Sequence, residues 1–230
     1  MKNYLVILFV FFVVYAQAQK VSTLTYHQTD SSRLELDLFL PASNVTGAKL
    51  PLVLYVHGGG FSSGDRFGVN QLCQQLAGNG YAAATISYTL FMKNKSFGCD
   101  GILTEKVKAI QLAVSDLWQA TAFFINNQQK YNLDINQFYL AGSSAGAEVV
   151  LHAAFWDFSL MNVYGTKLPP GFKYAGIVAG AGALMDINLI TKNNLLPIML
   201  FHGNADETVP YATAAHRLCK TSASGWLMFF

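Results

Sequence analysis

The feature that most constrains this chain is a five-residue turn, Gly142-Ser143-Ser144-Ala145-Gly146. It lies between an apolar, β-prone run (Phe138-Tyr139-Leu140-Ala141) and a segment of helix-forming composition that begins at Ala145. Such a pattern predicts a buried strand that passes almost directly into a helix. The turn must then be very sharp, and glycines two positions either side of Ser144 remove side chains that would strike neighbouring backbone. The hydroxyl of Ser144 is thereby held at the sheet edge above a helix N-terminus, whose dipole favours developing negative charge. Ser144 is the candidate nucleophile. Because an ordinary Gly/Ser turn would carry the same five letters, its neighbours along the chain decide.

Residues 22–29 and 33–40 alternate apolar and polar side chains around Asp30-Ser31-Ser32 and predict an antiparallel hairpin with one wet face. Leu52-Val53-Leu54-Tyr55-Val56 predicts a strand buried on both faces. After it the pattern predicts a helix over 69–79 stopped by Gly80, a strand over 81–87 and a long helix over 103–129. A strand over 137–141, a helix from the Ser144 turn to 155, and strands over 174–178 and 198–202 complete the series. Alternating buried strands and helices predict an α/β fold with a mostly parallel sheet covered on both faces, made mixed by the hairpin. With no repeat, low-complexity tract or linker, residues 19–230 read as one domain.

Two further motifs stand in this frame. His57-Gly58-Gly59-Gly60-Phe61 directly follows the 52–56 strand. Successive glycines let a loop approach a ligand and turn its amides inward, as an oxyanion hole requires. The donors would be the N–H groups of Gly59, Gly60 and Ala145, and losing one such donor costs ~10²–10³ in rate. His57 precedes the hole and reads as a loop-fixing residue, not as the base. The segment His202-Gly203-Asn204-Ala205-Asp206-Glu207-Thr208-Val209-Pro210 puts carboxylates in the loop after a late strand. That is the place for the acid that fixes a histidine's tautomer. Asp206 is the candidate; Glu207 would point differently, and Asp186 is the alternative.

In this order the three motifs resemble the α/β-hydrolase superfamily. The nearest group is the secreted bacterial carboxylesterases related to hormone-sensitive-lipase-like enzymes and to feruloyl and acetyl-xylan esterases. The resemblance implies an α/β-hydrolase fold with Ser144 as nucleophile, Asp206 as acid and Gly59, Gly60 and Ala145 as oxyanion donors. It implies hydrolysis of a small or carbohydrate-linked ester through an acyl-enzyme, without metal or organic cofactor. A serine peptidase of the prolyl-oligopeptidase type shares the late acid loop, although the glycine motif favours esters. A non-catalytic binding protein on the same fold is the other alternative.

That alternative draws on a missing residue. The family places its catalytic histidine after the acid, beyond one more strand. Here 24 residues follow Asp206, and His216 is the single histidine among them. It falls within 211–219, which reads as the helix after the acid loop, too early for an intervening strand. The expected role of His216 is therefore surface or packing. The sequence stops on the apolar Trp226-Leu227-Met228-Phe229-Phe230. The expectation is a chain cut short before its last helix, last strand and histidine, with 198–201 left as an exposed apolar edge.

At the other end, Lys2, the apolar run 4–15 and the small residues Ala16 and Ala18 form a secretory signal pattern with cleavage after Ala18. The run is shorter than the ~20 residues a helical span needs. A secreted or periplasmic protein with no membrane span after cleavage is expected. The formal charge of +2 becomes +1 without Lys2, and the scattered Lys and Arg imply no nucleic-acid partner. Cys73, Cys99 and Cys219 allow at most one internal disulfide, whose pairing stays open, and their spacing matches no metal site. At least one of them reads as a buried, inert thiol. Asn44-Val45-Thr46 and Asn94-Lys95-Ser96 match glycosylation acceptors. The aromatic run 91–97 reads either as acyl-pocket lining or as a loop packed on the sheet edge.

Overall fold

A computed structural model describes residues 20–29, 32–42 and 47–219. The expected signal peptide, the acceptor Asn44-Val45-Thr46 and the terminal apolar run lie outside the described residues. Seven strands form one sheet: β1 (Lys20–Gln28), β2 (Arg33–Leu40), β3 (Leu50–Val56), β4 (Ala82–Ile86), β5 (Leu133–Ser143), β6 (Gly176–Gly180) and β7 (Ile198–Phe201). Their spatial order is β1-β2-β4-β3-β5-β6-β7. The β1–β2 hairpin pairs antiparallel and β2 joins β4 antiparallel, whereas β4, β3, β5, β6 and β7 run parallel. The mixed, mostly parallel sheet is the one the hydrophobic pattern predicts.

Among the described residues three longer helices cover it: α1 (Asn70–Gly78), α2 (Leu103–Asn126) and α3 (Ala145–Phe155), with a single turn, α4 (Phe158–Met161), behind them. Along α2, Ala109, Ile110, Ala113, Val114, Leu117, Trp118 and Phe124 recur at helical spacing and are all buried. The Trp118 indole donates to the Ala153 carbonyl at 3.1 Å and ties α2 to α3. The predicted 103–129 helix stops three residues early. The Asn127 side-chain amide donates to the Phe123 carbonyl at 2.8 Å and occupies one of the free helix-end acceptors. α3 is apolar nearly all round and buried, as expected of a helix at the centre of a domain.

Two expectations need correcting. In β3, Leu52, Leu54 and Val56 are buried, but Val53 and Tyr55 on the other face are only half-buried. The same face continues through Val178, Met199 and Phe201, which are 38%, 65% and 59% exposed. On that face α1 packs on β4 and β2, seating Cys73 and Ala77 against Phe39 and Ala83. Burial from α1 is therefore concentrated at the β2–β4 side. Residues 211–219 form no α-helix either: a 3-10 turn, His216–Leu218, stands there, with Arg217 at φ 54° and Leu218 at φ 50°.

Cys99 and Cys219 form a disulfide across 120 residues of sequence, and Cys73 is free and buried. Burial, reinforced by nearby Asp37, pushes the Cys73 thiol up to about 12, so it stays protonated and unreactive. Closing so long a loop restricts the unfolded chain, an effect of ~2–5 kcal/mol. Replacing both Cys99 and Cys219 with serine is expected to lower the unfolding free energy by about that amount, read from urea denaturation. A loss below ~0.5 kcal/mol would contradict the tie.

Asp116 sits fully buried on α2 and accepts the Thr89 amide at 2.7 Å. Burial, only partly offset by that bond, pushes its carboxyl up to about 6. A folded value above the unfolded ~3.9 means that the native state holds the proton more tightly. The resulting stability is complete below about pH 4 and is lost as pH rises through about 6. The difference between the two states corresponds to about 3 kcal/mol. Asp116→Asn is expected to gain ~2–3 kcal/mol on wild type between pH 4 and pH 7.5 in urea titrations. A difference independent of pH would contradict this assignment.

Candidate active site

β5 ends at Ser143 and α3 begins at Ala145, so Ser144 alone makes the turn. Its backbone stands at φ 52°, ψ −127°, a conformation costing a residue with a side chain ~1–3 kcal/mol. Surrounding contacts hold it there. The Ser144 amide donates to the Gly180 carbonyl at the end of β6 (2.8 Å), and its carbonyl accepts the Glu148 amide (3.1 Å) to start α3. A Cβ built on Gly146 would lie 2.1 Å from the Val56 carbonyl oxygen, and one on Gly142 would lie 2.4 Å from the Gly146 carbonyl oxygen. The two glycines let β3, β5 and the start of α3 cross in contact.

The loop after β3 passes directly over this elbow. A Cβ on Gly58 would approach the Ser144 Cβ to 3.2 Å. The Gly59 carbonyl accepts the amides of both Ser62 and Ser63 at 3.1 Å, closing a tight turn in which Gly59 has φ +120°. His57 fastens the loop. Its Nδ1–H donates to the Gly58 carbonyl at 2.6 Å, its ring stacks on Tyr88 at 4.4 Å, and the Tyr88 hydroxyl donates to the His57 carbonyl at 3.1 Å. Burial, outweighing the bond to Gly58, lowers the His57 pKa and favours the neutral ring.

Ser144, Gly60 and Ala145 line a cavity of about 50 Å³. Phe61 and Phe97, stacked 5.2 Å apart, form one wall. Within the 91–97 run it is therefore Phe97 that reaches the cavity. Glu148 and Val209, both buried, line it as well, together with the exposed Thr208 and Arg217. Glu148 was not singled out from sequence, yet the signal was there. It is the one acid in an apolar helix, four residues after Ser144 and so on the same face. Arg217 carried no such signal, because its place depends on the non-helical turn. A larger cavity of about 390 Å³, lined by Trp118, Trp156, Phe172 and Tyr174, does not include Ser144.

Val209 joins the wall through the acid loop. Asp206 is a quarter exposed, and its Oδ1 accepts the amides of Thr208 (2.8 Å) and Val209 (3.0 Å). His202 Nε2–H donates to the Val209 carbonyl at 2.6 Å and lies 3.5 Å from Asp206 Oδ2. Asp206 thus shares its loop with two residues of the cavity wall. Asp186 is exposed and accepts the amide of its own neighbour Asn188 at 2.8 Å, while Glu207 is exposed beside Asp206. His27 stacks on Tyr164, and His57 and His202 hold their loops. His152 Nδ1–H donates to the Glu148 carbonyl (2.7 Å) and its Nε2 accepts the Met185 amide (3.1 Å). His216 opens the turn after the acid loop, and its side chain lies outside the described atoms.

A parallel sheet with an antiparallel hairpin at one edge, helices on both faces and a one-residue strand–helix elbow defines the α/β-hydrolase fold. The BD-FAE family pattern matches residues 36–182, and the chain belongs to that family. It is 28% identical over 218 residues to the probable isoprenylcysteine alpha-carbonyl methylesterase ICMEL2 of Arabidopsis thaliana, covering 77% of this chain and 48% of that protein. It is 25% identical over 174 residues to 2-hydroxyisoflavanone dehydratase of Glycyrrhiza echinata, covering 69% and 47%. The chain spans about half the length of these curated relatives. Among solved structures, the thermophilic esterase Est2 of Thermogutta terrifontis superposes with a TM-score of 0.65 at 17% identity, over 83% of this chain and 73% of that one. The same esterase phosphorylated by paraoxon gives 0.62 at 19% identity over the same shares. These two likenesses are of fold.

The crossing at the elbow leaves no room for a methyl group. Gly146→Ala is expected to destabilise the protein by ~3 kcal/mol, at the upper end of overpacking costs, measured by urea denaturation. A change below ~0.5 kcal/mol would contradict the packing described.

Proposed function

We propose that the protein is a serine carboxylic-ester hydrolase that works through an acyl-enzyme on Ser144. The observation that carries the reading is the Ser144 elbow, at φ 52° beside a cavity that Gly60 and Ala145 also line. Ser144 Oγ attacks the ester carbonyl, the alcohol leaves, and water then releases the acid from the acyl-serine. Negative charge on the carbonyl oxygen is met by the N–H groups of Gly59, Gly60 and Ala145, assisted by the N-terminal dipole of α3. In this reading the Ser144 proton passes to a histidine oriented by Asp206. Relatives named as methylesterases and a fold neighbour named as an esterase support ester chemistry. The small cavity favours a short acyl group, and the family resemblance suggests a small or carbohydrate-linked alcohol. Export through the 1–18 signal is part of the same reading, and the Cys99–Cys219 disulfide supports an oxidising compartment.

A panel of short-chain aryl esters tests the proposal. The protein is expected to hydrolyse aryl acetates faster than prolyl amides, and Ser144→Ala should lower kcat/KM by ~10³-fold or more. A Ser144→Ala variant within tenfold of wild type would contradict the role of Ser144.

A further inference from the structure

We propose that Arg217 is a specificity residue, selecting esters whose alcohol part carries an anionic group such as a carboxylate. The inference rests on the ester-hydrolase reading and names the substrate class of that site. Arg217 is the one cation among the cavity's lining residues, and it is exposed, whereas Phe61, Ala145 and Glu148 are buried. Among the described residues its guanidinium has no ion-pair partner. The neighbouring cations are committed elsewhere: Lys95 pairs with Glu105 at 2.6 Å, and Lys106 donates to the Gly98 carbonyl at 2.6 Å. A planar fork of donors without a carboxylate at a cavity mouth suits bidentate capture of one from a ligand.

The backbone around Arg217 is held in place. Its amide donates to the Thr208 carbonyl at 3.0 Å, joining it to the wall of the cavity. Two residues on, Cys219 is bonded to Cys99, and a Cβ built on Gly98 would lie 4.0 Å from Arg217 Cδ, so the stem runs past the Cys99 loop. Arg217 and Leu218 both stand at positive φ, a costly conformation for side-chain-bearing residues that persists where surroundings impose it. The disulfide and the Thr208 bond are two such constraints. The buried lining leaves the acyl side without an exposed cation, whereas the exposed Arg217 favours an anion on the alcohol side. A short neutral acyl group inside and an acidic alcohol at the mouth follow from this arrangement.

Two matched acetates separate the charge from the rest of the substrate: 4-acetoxybenzoate and 4-acetoxybenzamide. The wild-type ratio of kcat/KM, anionic over neutral, is expected to exceed one and to fall as salt is raised. Arg217→Gln should lower that ratio about tenfold, and Arg217→Lys should restore part of it. Equal effects on both esters, or a ratio unmoved by Arg217→Gln, would overturn the proposal. Binding of the product 4-hydroxybenzoate, followed by calorimetry, reads the same interaction without turnover. An affinity about tenfold weaker in Arg217→Gln supports the proposal even if neither acetate is hydrolysed, which would sink the esterase reading alone. An unchanged affinity overturns it.

Discussion

The contact between the start of α3 and the end of β3 governs the architecture. A Cβ on Gly146 would lie only 2.1 Å from the Val56 carbonyl oxygen, so the helix can begin beside β3 only because that position has no side chain. The one-residue turn at Ser144, its positive φ and the buried path of α3 depend on this approach. The glycine loop in turn depends on the elbow, since Gly58 passes within contact range of Ser144. Two elements far apart in sequence therefore meet at one serine. The interaction that joins them is steric: backbone packed on backbone, with hydrogen bonds from Ser144 to β6 and into α3 fixing the direction.

Around that contact the polar groups divide into those that fasten loops and those that face the cavity. His57, His152 and His202 each spend a ring nitrogen on a backbone carbonyl, and this holds the loop after β3, the body of α3 and the acid loop. Asp206 accepts two amides of its own loop and so shapes the wall that Thr208 and Val209 present. Glu148, Arg217 and Ser144 face the cavity itself. The disulfide links two segments of the lining, because Cys99 follows the Phe97 loop and Cys219 follows Arg217. The site is thus assembled from five separate segments, with no single motif containing it.

Most strands and long helices were legible because their hydrophobic period is local. The alternating hairpin, the apolar run at 52–56 and the helical stripe of α2 are visible within windows of a few turns. The glycines of the elbow were legible for a different reason, since only a close approach explains their spacing about Ser144. What failed was whatever depends on distant partners. The outer face of β3 looked fully apolar, yet its burial is set by where α1 packs. Residues 211–219 have helical composition, but the Thr208–Arg217 hydrogen bond and the Cys99–Cys219 disulfide accompany a different backbone path. The pairing of three cysteines and the arrival of Arg217 at the cavity follow from that path and leave no mark on local sequence.

Every role assigned around the cavity depends on whether this geometry makes Ser144 a nucleophile. Incubation of the protein with a fluorophosphonate, followed by digestion and mass spectrometry, addresses that directly. The predicted result is a single phosphonyl adduct on the peptide carrying Ser144, located on that residue and not on Ser143, Ser62 or Ser63. No adduct, or one located on another serine, would contradict it.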